Sequence, residues 1–318
     1  MRLPTVIELA ADLPEERAFP PSFDFAQAVT PPARCTLDEY LKAFDITVAV
    51  LQSARALQRA AYELCEDVAQ ENVRCLEVRF APLLHLEAGL SPREVVQAVL
   101  RGLHEGAQAF GVASGLILVA MRDRAPEHSM EVAQLAAQFS GKGVVAFDLA
   151  GPERQHPPQI HREAIAMAHE AGVHLTLHAG EGCCPEQIRA ALELGAERIG
   201  HGVYLHRDPV TEGLIAKRRI PLEVCPTSNL QISGIMESYA DHPLKRYFDL
   251  GIPVTLNTDN RLMSAIDLTH EYEAVAQAFS LSQDEIGTLA LNAVQASFAT
   301  DEIKAELQAS IESFFAKS

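Results

Sequence analysis

Short apolar runs of strand type recur along the chain, separated by stretches with helical periodicity. The runs predict strands at 73–80 (VRCLEVRF), 115–121 (GLILVAM), 144–149 (VVAFDL) and 173–178 (VHLTLH). Three more follow at 198–202 (RIGHG), 221–225 (PLEVC) and 253–258 (PVTLNT). Most gaps between them read as amphipathic helices. The clearest, over 91–111, puts Val95, Val96, Val99, Leu100 and Leu103 on one face, and 185–194 and 210–218 behave alike. Strand starts recur at intervals of roughly 25–40 residues, the spacing of strand–helix units.

That rhythm implies an α/β fold with a parallel sheet covered by helices, either doubly wound or a (β/α)8 TIM-type barrel. The polar residues decide between them. A doubly wound sheet gathers its site at one switch point, behind a Gly-rich phosphate loop. No such loop follows the first strand. Instead, candidates stand at nearly every strand end: Arg79 and His85, Arg122, Asp148, His178 and Glu181, His201, Thr227-Ser228-Asn229, and Asp259-Asn260. A barrel brings all of these to one mouth. The barrel is one strand short, however. The chain opens on an amphipathic helix (Val6, Ile7, Leu9, Ala10, Leu13), so the first strand is missing. No linker or repeat divides residues 1–318, which are expected to form one domain, incomplete at its N-terminal side.

Composition narrows the function. At 318 residues and 48% hydrophobic the chain can build a sizeable core. Its net charge of −17 repels polyanions and excludes a nucleic-acid partner. No apolar run reaches membrane-spanning length and no signal pattern opens the chain, so no membrane partner is expected and a cytoplasmic location is. The six cysteines contain no Cys-x-x-Cys, and Cys183 and Cys184 are adjacent. That matches neither a disulfide framework nor a structural zinc site, so reduced thiols are expected. The oligomeric state is left open.

Four segments carry the chemistry: HAGE (178–181), GHG (200–202), CPTSN (225–229) and NTDN (257–260). Each alone is weak, because a histidine after a strand is most often structural and Asp in such a turn is ordinary. At one mouth they supply two imidazoles and two carboxylates, which suit zinc. A metal ion lowers the pKa of its water, and a neighbouring carboxylic acid can deliver a proton. The chemistry implied is metal-assisted hydrolytic attack on an electrophilic carbon.

The order DLAG (148–151), LHAGE (177–181), AERIGHGV (196–203), PLEVCPTSN (221–229), HPL (242–244) and VTLNTD (254–259) resembles the adenosine deaminase family, a (β/α)8 branch of the metal-dependent amidohydrolases. VRFAPLLH (78–85) and KAFDITVAVLQ (42–52) resemble it too, and the likeness runs from about residue 3 to beyond 295. It implies hydrolytic deamination of adenosine or 2′-deoxyadenosine to inosine and ammonia, with one Zn2+ and a small purine nucleoside as partner. His178 and Asp259 match metal ligands. Glu181 matches the acid that protonates purine N1. His201 matches the histidine that orients the attacking water, which Asp259 also manages. Gly151 matches a glycine whose amide contacts the purine. Asn260 stands where many members have a second aspartate against N7; its amide donates without needing a proton. CPTSN is expected to support the rim, and Arg79 to pair with a carboxylate. His85, His174, His206, His242 and His270 are expected as satisfied surface or rim residues, and Cys183 and Cys184 as packing or loop residues. Alternatives are an adenine or modified-adenosine deaminase of the same family, or a non-catalytic purine- or partner-binding barrel.

The chain departs from the family at its start. Members begin with a strand ending in His-x-His followed by Leu-Asp-Gly, whose histidines bind metal. Here MRLPTVIELAADL resembles the segment just after that motif. With two ligands lacking, zinc is expected to bind weakly or not at all unless they are supplied. An open seam should expose two strand edges and make the chain poorly stable or prone to associate. Met1 is expected to be a start assigned too late, the alternative being a truncated homologue without catalysis. An in-frame His-x-His-Leu-Asp-Gly upstream in the DNA separates the two. Pro152 stands where an acidic residue is commoner, without a physical account.

Overall fold

The structure, a computed structural model, describes residues 1–232 and 236–316. Its strands are β1 (Cys75–Phe80), β2 (Ala113–Met121), β3 (Val144–Ala150), β4 (His174–Ala179), β5 (Arg198–His201), β6 (Leu222–Val224) and β7 (Val254–Leu256). All seven expected strands are present. They pair in parallel and in chain order, β1 through β7. A doubly wound sheet reverses its order at the switch point; a consecutive order belongs to a barrel.

Side chains show that the sheet curls. Arg79 on β1 donates to Glu223 on β6. Arg198 on β5 donates to Glu77 on β1 at 2.6 Å. In a flat sheet β1 and β6 would lie five strand spacings, about 24 Å, apart. The contacts exist because the sheet wraps round on itself. Among the described residues no strand joins β7 to β1, so this is the (β/α)8 barrel without its first strand.

The two edges of the seam are not alike. Every residue of β1 is half-buried, whereas β7 is buried throughout. Helix Gln283–Ala296 packs on β7, and Asn292 Nδ2 donates to Val254 O at 3.2 Å. The expectation of two exposed edges therefore fails at β7, where a helix that follows in the chain covers it.

Helices form the outer layer. Helix Pro92–Phe110 opens on a capping box between Ser91 and Glu94 and stops at Gly111. It crosses helix Ala54–Gln70 at Gly102, where a Cβ would sit 2.1 Å from Gln58 O. The opening helix, Leu3–Ala11, lays Val6, Leu9 and Ala10 against Val50 and Ala56, and Thr5 donates to Glu63 at 2.6 Å. Among the described residues no helix is long and apolar enough to cross a membrane.

The barrel interior is polar at its centre. Arg79 bridges Asp148 on β3, at 2.8 Å, and Glu223 on β6. Glu223 also accepts from Thr176 on β4 at 2.8 Å and lies 2.7 Å from Arg198. The pairing expected of Arg79 is thus found, twice over. Replacing it by an apolar residue leaves two buried carboxylates short of a counter-charge. Arg79→Met should lower the unfolding free energy in urea by about 3–5 kcal/mol. A loss below about 1 kcal/mol would show that the ladder does not hold the fold.

Candidate active site

The C-terminal ends of β3, β4 and β5 and the turn after β7 bring Asp148, His178, Glu181, His201 and Asp259 together. On β4 the side chains alternate as a strand requires. Leu175 and Leu177 join the core, while Thr176 and His178 reach interior partners. His178 Nδ1 lies 2.8 Å from Asp148 Oδ2, and its backbone N–H donates to Asp148 Oδ1 at 3.1 Å. With Nδ1 engaged, Nε2 is the nitrogen left for the site. Asp148 has no solvent exposure. Burial pushes its carboxyl up, but the charges of His178 and Arg79 hold it well below the usual carboxylate range. Arg122 spends its guanidinium on the carbonyls of His178, at 2.6 Å, and Leu149, at 3.1 Å. It clamps strand ends rather than facing a ligand.

Glu181 follows the Gly180 turn. Its loop is held by Glu153, a buried carboxylate that accepts from the N–H groups of Glu181, at 3.4 Å, and Gly182, at 3.2 Å. Burial, then the charge of Asp259, pushes the Glu181 carboxyl up to about 8. It is a neutral acid at neutral pH, with a proton to give. His201 closes β5 with φ +65, and its Nε2 lies 3.6 Å from Glu181 Oε1. Its Nδ1 is 3.1 Å from Asn229 Nδ2, and burial lowers its pKa. Asp259 also has a left-handed backbone, φ +50, and accepts from Ser228 Oγ at 2.7 Å and Asn260 Nδ2 at 2.8 Å.

The remaining candidates fall nearby with narrower prospects. Gly151, at the end of β3, has φ +111, a region that side chains rarely tolerate. Asn260 Nδ2 also donates to Tyr40 Oη at 3.4 Å, so both its hydrogens have partners in the chain. A base contact there would displace one of them. Cys183 and Cys184 are free thiols in mutual contact beside Glu153, and burial raises the Cys183 pKa. His85 and His242 are buried, not at the surface.

Donors for a metal converge here. His201, Cys225 and Asp259 offer ligand atoms within 4.8 Å of one another, and the His178 ring centroid is 5.0 Å from that of His201. Nitrogen, sulfur and carboxylate oxygen are the donor types zinc takes. The residues fit such an ion, with Cys225 a donor that the sequence treated only as rim. The sequence places Asn229 at the mouth only as rim support and His242 only as a satisfied surface or rim residue, and it does not single out Glu153. Their signal is faint: Asn229 and His242 are polar residues inside a motif and Glu153 lies two residues past one, each with a partner distant in sequence.

A parallel barrel whose mouth gathers imidazoles and carboxylates round a neutral buried acid is built as a metal-dependent amidohydrolase. The family model for adenosine deaminase matches residues 5–314, and the chain belongs to that family of hydrolases. An adenosine deaminase from Clostridium perfringens (strain 13 / Type A) is 39% identical over 316 residues, covering 98% of this chain and 94% of that relative. The crystal structure of adenine deaminase from Arthrobacter aurescens superposes with a TM-score of 0.90 at 25% identity, over 99% of this chain and 95% of that one. The N6-mAMP deaminase from arabidopsis gives 0.88 at 29%, over 98% and 94%. The resemblance seen in the motifs is confirmed.

Glu181 also makes a stability prediction. In metal-free protein the fold favours its neutral form, so its contribution is fully present below pH 4.5 and is lost as pH rises through about 8. Glu181→Gln cannot ionise and escapes that loss. Urea unfolding across this window should show the wild type weakening relative to Glu181→Gln. Parallel curves would mean that Glu181 ionises as an ordinary carboxylate.

Proposed function

We propose that the site deaminates adenosine or 2′-deoxyadenosine hydrolytically, giving inosine and ammonia. The observation that carries this is Glu181, a buried acid pushed up to about 8 within 3.6 Å of the His201 imidazole. An acid poised near neutrality is what protonation of a purine ring nitrogen requires. His178 and Asp259 would hold zinc, with Cys225 in reach. When bound, zinc lowers the pKa of water enough for attack at neutral pH.

The chain's own groups account for the rest. Glu181 delivers its proton to N1, which makes C6 more electrophilic. Asp259 and His201 orient the water, whose oxygen bonds to C6. The C6–N6 bond breaks and ammonia leaves. Of the two protons of the water, one ends on ammonia and one returns to Glu181; N1 keeps the proton it was given. Gly151 and Asn260 would hold the base, Asn260 by exchanging a contact inside the chain for one to the purine. The 39% identical relative named adenosine deaminase supports this substrate, while the adenine and N6-mAMP deaminases keep the alternatives open within one chemistry.

The test offers adenosine, adenine and N6-methyl-AMP to the zinc-loaded chain, and to a form extended by a His-x-His strand, with absorbance and release of ammonia, or of methylamine from the last, as readouts. Turnover should be fastest with adenosine, which gives inosine, whereas adenine would give hypoxanthine and N6-methyl-AMP would give IMP and methylamine. Glu181→Gln should lower kcat by about 10²–10⁴-fold. Activity should fall as pH rises through about 8, where Glu181 loses its proton. No product from any substrate with either form would leave the non-catalytic reading in its place.

A further inference from the structure

Three hydrogen bonds run in line behind His201. Leu244 N–H donates to His242 Nδ1 at 3.0 Å. His242 Nε2 lies 3.3 Å from Asn229 Oδ1, and Asn229 Nδ2 lies 3.1 Å from His201 Nδ1. Asn229 has no solvent exposure, and His242 and His201 are 3% and 2% exposed, so water does not substitute for any partner.

The direction of this chain is dictated from one end. A backbone N–H can only donate, so His242 Nδ1 carries no proton. Burial, then the charges of His201 and His206, push His242 down to about 3, so its ring is neutral and its one proton sits on Nε2. That N–H requires an acceptor, which turns the Asn229 carbonyl toward it and the Asn229 amide nitrogen toward His201. His201 Nδ1 must then accept. Its proton is left on Nε2, the nitrogen 3.6 Å from Glu181 Oε1.

We propose that His242 and Asn229 are positioning residues that fix the tautomer of His201, so that it presents an Nε2–H donor to the site. The opposite tautomer would set Nδ1–H against the Asn229 amide hydrogens. Turning that amide would set them against His242 Nε2–H. Moving the His242 proton would set it against Leu244 N–H, which cannot turn. Each inversion hands the conflict on until it meets the backbone. A ligating nitrogen must be bare, so the lock also removes His201 from the metal's ligand set. In the compact trio it leaves Asp259 and Cys225 as donors. His201 becomes the group that hydrogen-bonds the attacking oxygen. This last role rests on the deaminase reading; the tautomer does not.

Nitrogen-15 NMR of protein labelled in its histidine rings tests the lock without substrate or metal, the His201 signals being identified by their loss in His201→Gln. The wild type should show a bare Nδ1 and a protonated Nε2. Asn229→Asp places an acceptor at both ends, and His201 Nδ1 should then gain a proton. His242→Leu removes the dictating donor, and His201 should shift toward a mixture of tautomers. A protonated Nδ1 in the wild type overturns the proposal, as does a His201 signal unchanged in both variants. If Asn229→Asp does not fold, the wild-type spectrum and His242→Leu decide. Where turnover is present, Asn229→Asp should lower kcat by roughly 10²-fold or more with little change in KM. Absence of turnover in every form would remove the functional reading and leave the tautomer result standing.

Discussion

Arg79 on Asp148 is the contact on which the mouth of the barrel depends. Asp148 is charged with no water to solvate it, a state that survives in an interior only with a cation and hydrogen-bond donors at hand. Arg79 supplies the cation at 2.8 Å, and the His178 N–H supplies a donor. Held charged, Asp148 takes His178 Nδ1 and turns Nε2 toward the site. The same guanidinium reaches Glu223 on β6, and Glu223 reaches Thr176 and Arg198. One arginine on the edge strand therefore binds β1 to β3 and β6 directly, and to β4 and β5 through their partners. A sheet that lacks one strand keeps its curvature partly through charge across its interior.

Buried carboxylates of the one barrel are treated in opposite ways. Burial would raise all of them. At Asp148 His178 and Arg79 prevail, and at Glu223 Arg79 and Arg198 draw the carboxyl down to about 2. Among the described residues no arginine or lysine forms an ion pair with Glu181, and the charge of Asp259 adds to burial, so the acid keeps its proton. Environments that push neighbouring acids apart assign their roles: fixed anions that orient, and a neutral acid that donates. Glu153 contributes by holding the Glu181 loop through backbone N–H groups.

The strands were legible because a parallel sheet covered on both faces favours apolar runs, longest in β2 and β3, and because β4 to β7 keep apolar residues among polar ones. The site residues were legible because each ends such a run. What could not be read depends on pairs distant in sequence. His242 lies 13 residues from Asn229, and Asn229 lies 28 from His201. Nothing local distinguishes a buried relay histidine from a rim histidine. Cys225 looked like a strand end because its nearness to Asp259 and His201 exists only once β5, β6 and the turn after β7 are side by side. The covering of β7 escaped for a related reason: the helix that covers it comes some thirty residues later in the chain.

The short helix Pro226–Gln231 unites two of these features. His201 and Asp259 are both held in the left-handed backbone region, which costs a side-chain-bearing residue on the order of 1–2 kcal/mol. Such strain persists only where surroundings over-determine it. The braces come from adjacent residues of this helix: Ser228 Oγ fixes Asp259, and the Asn229 amide faces His201. The helix itself is anchored by Thr227 N–H on the buried Glu271. The motif expected to support the rim acts as a splint that keeps two strained residues, from two separate strand ends, aimed at one point. A change in this helix would therefore reach the chemistry through the angles at which His201 and Asp259 are held, without removing any group that touches the substrate.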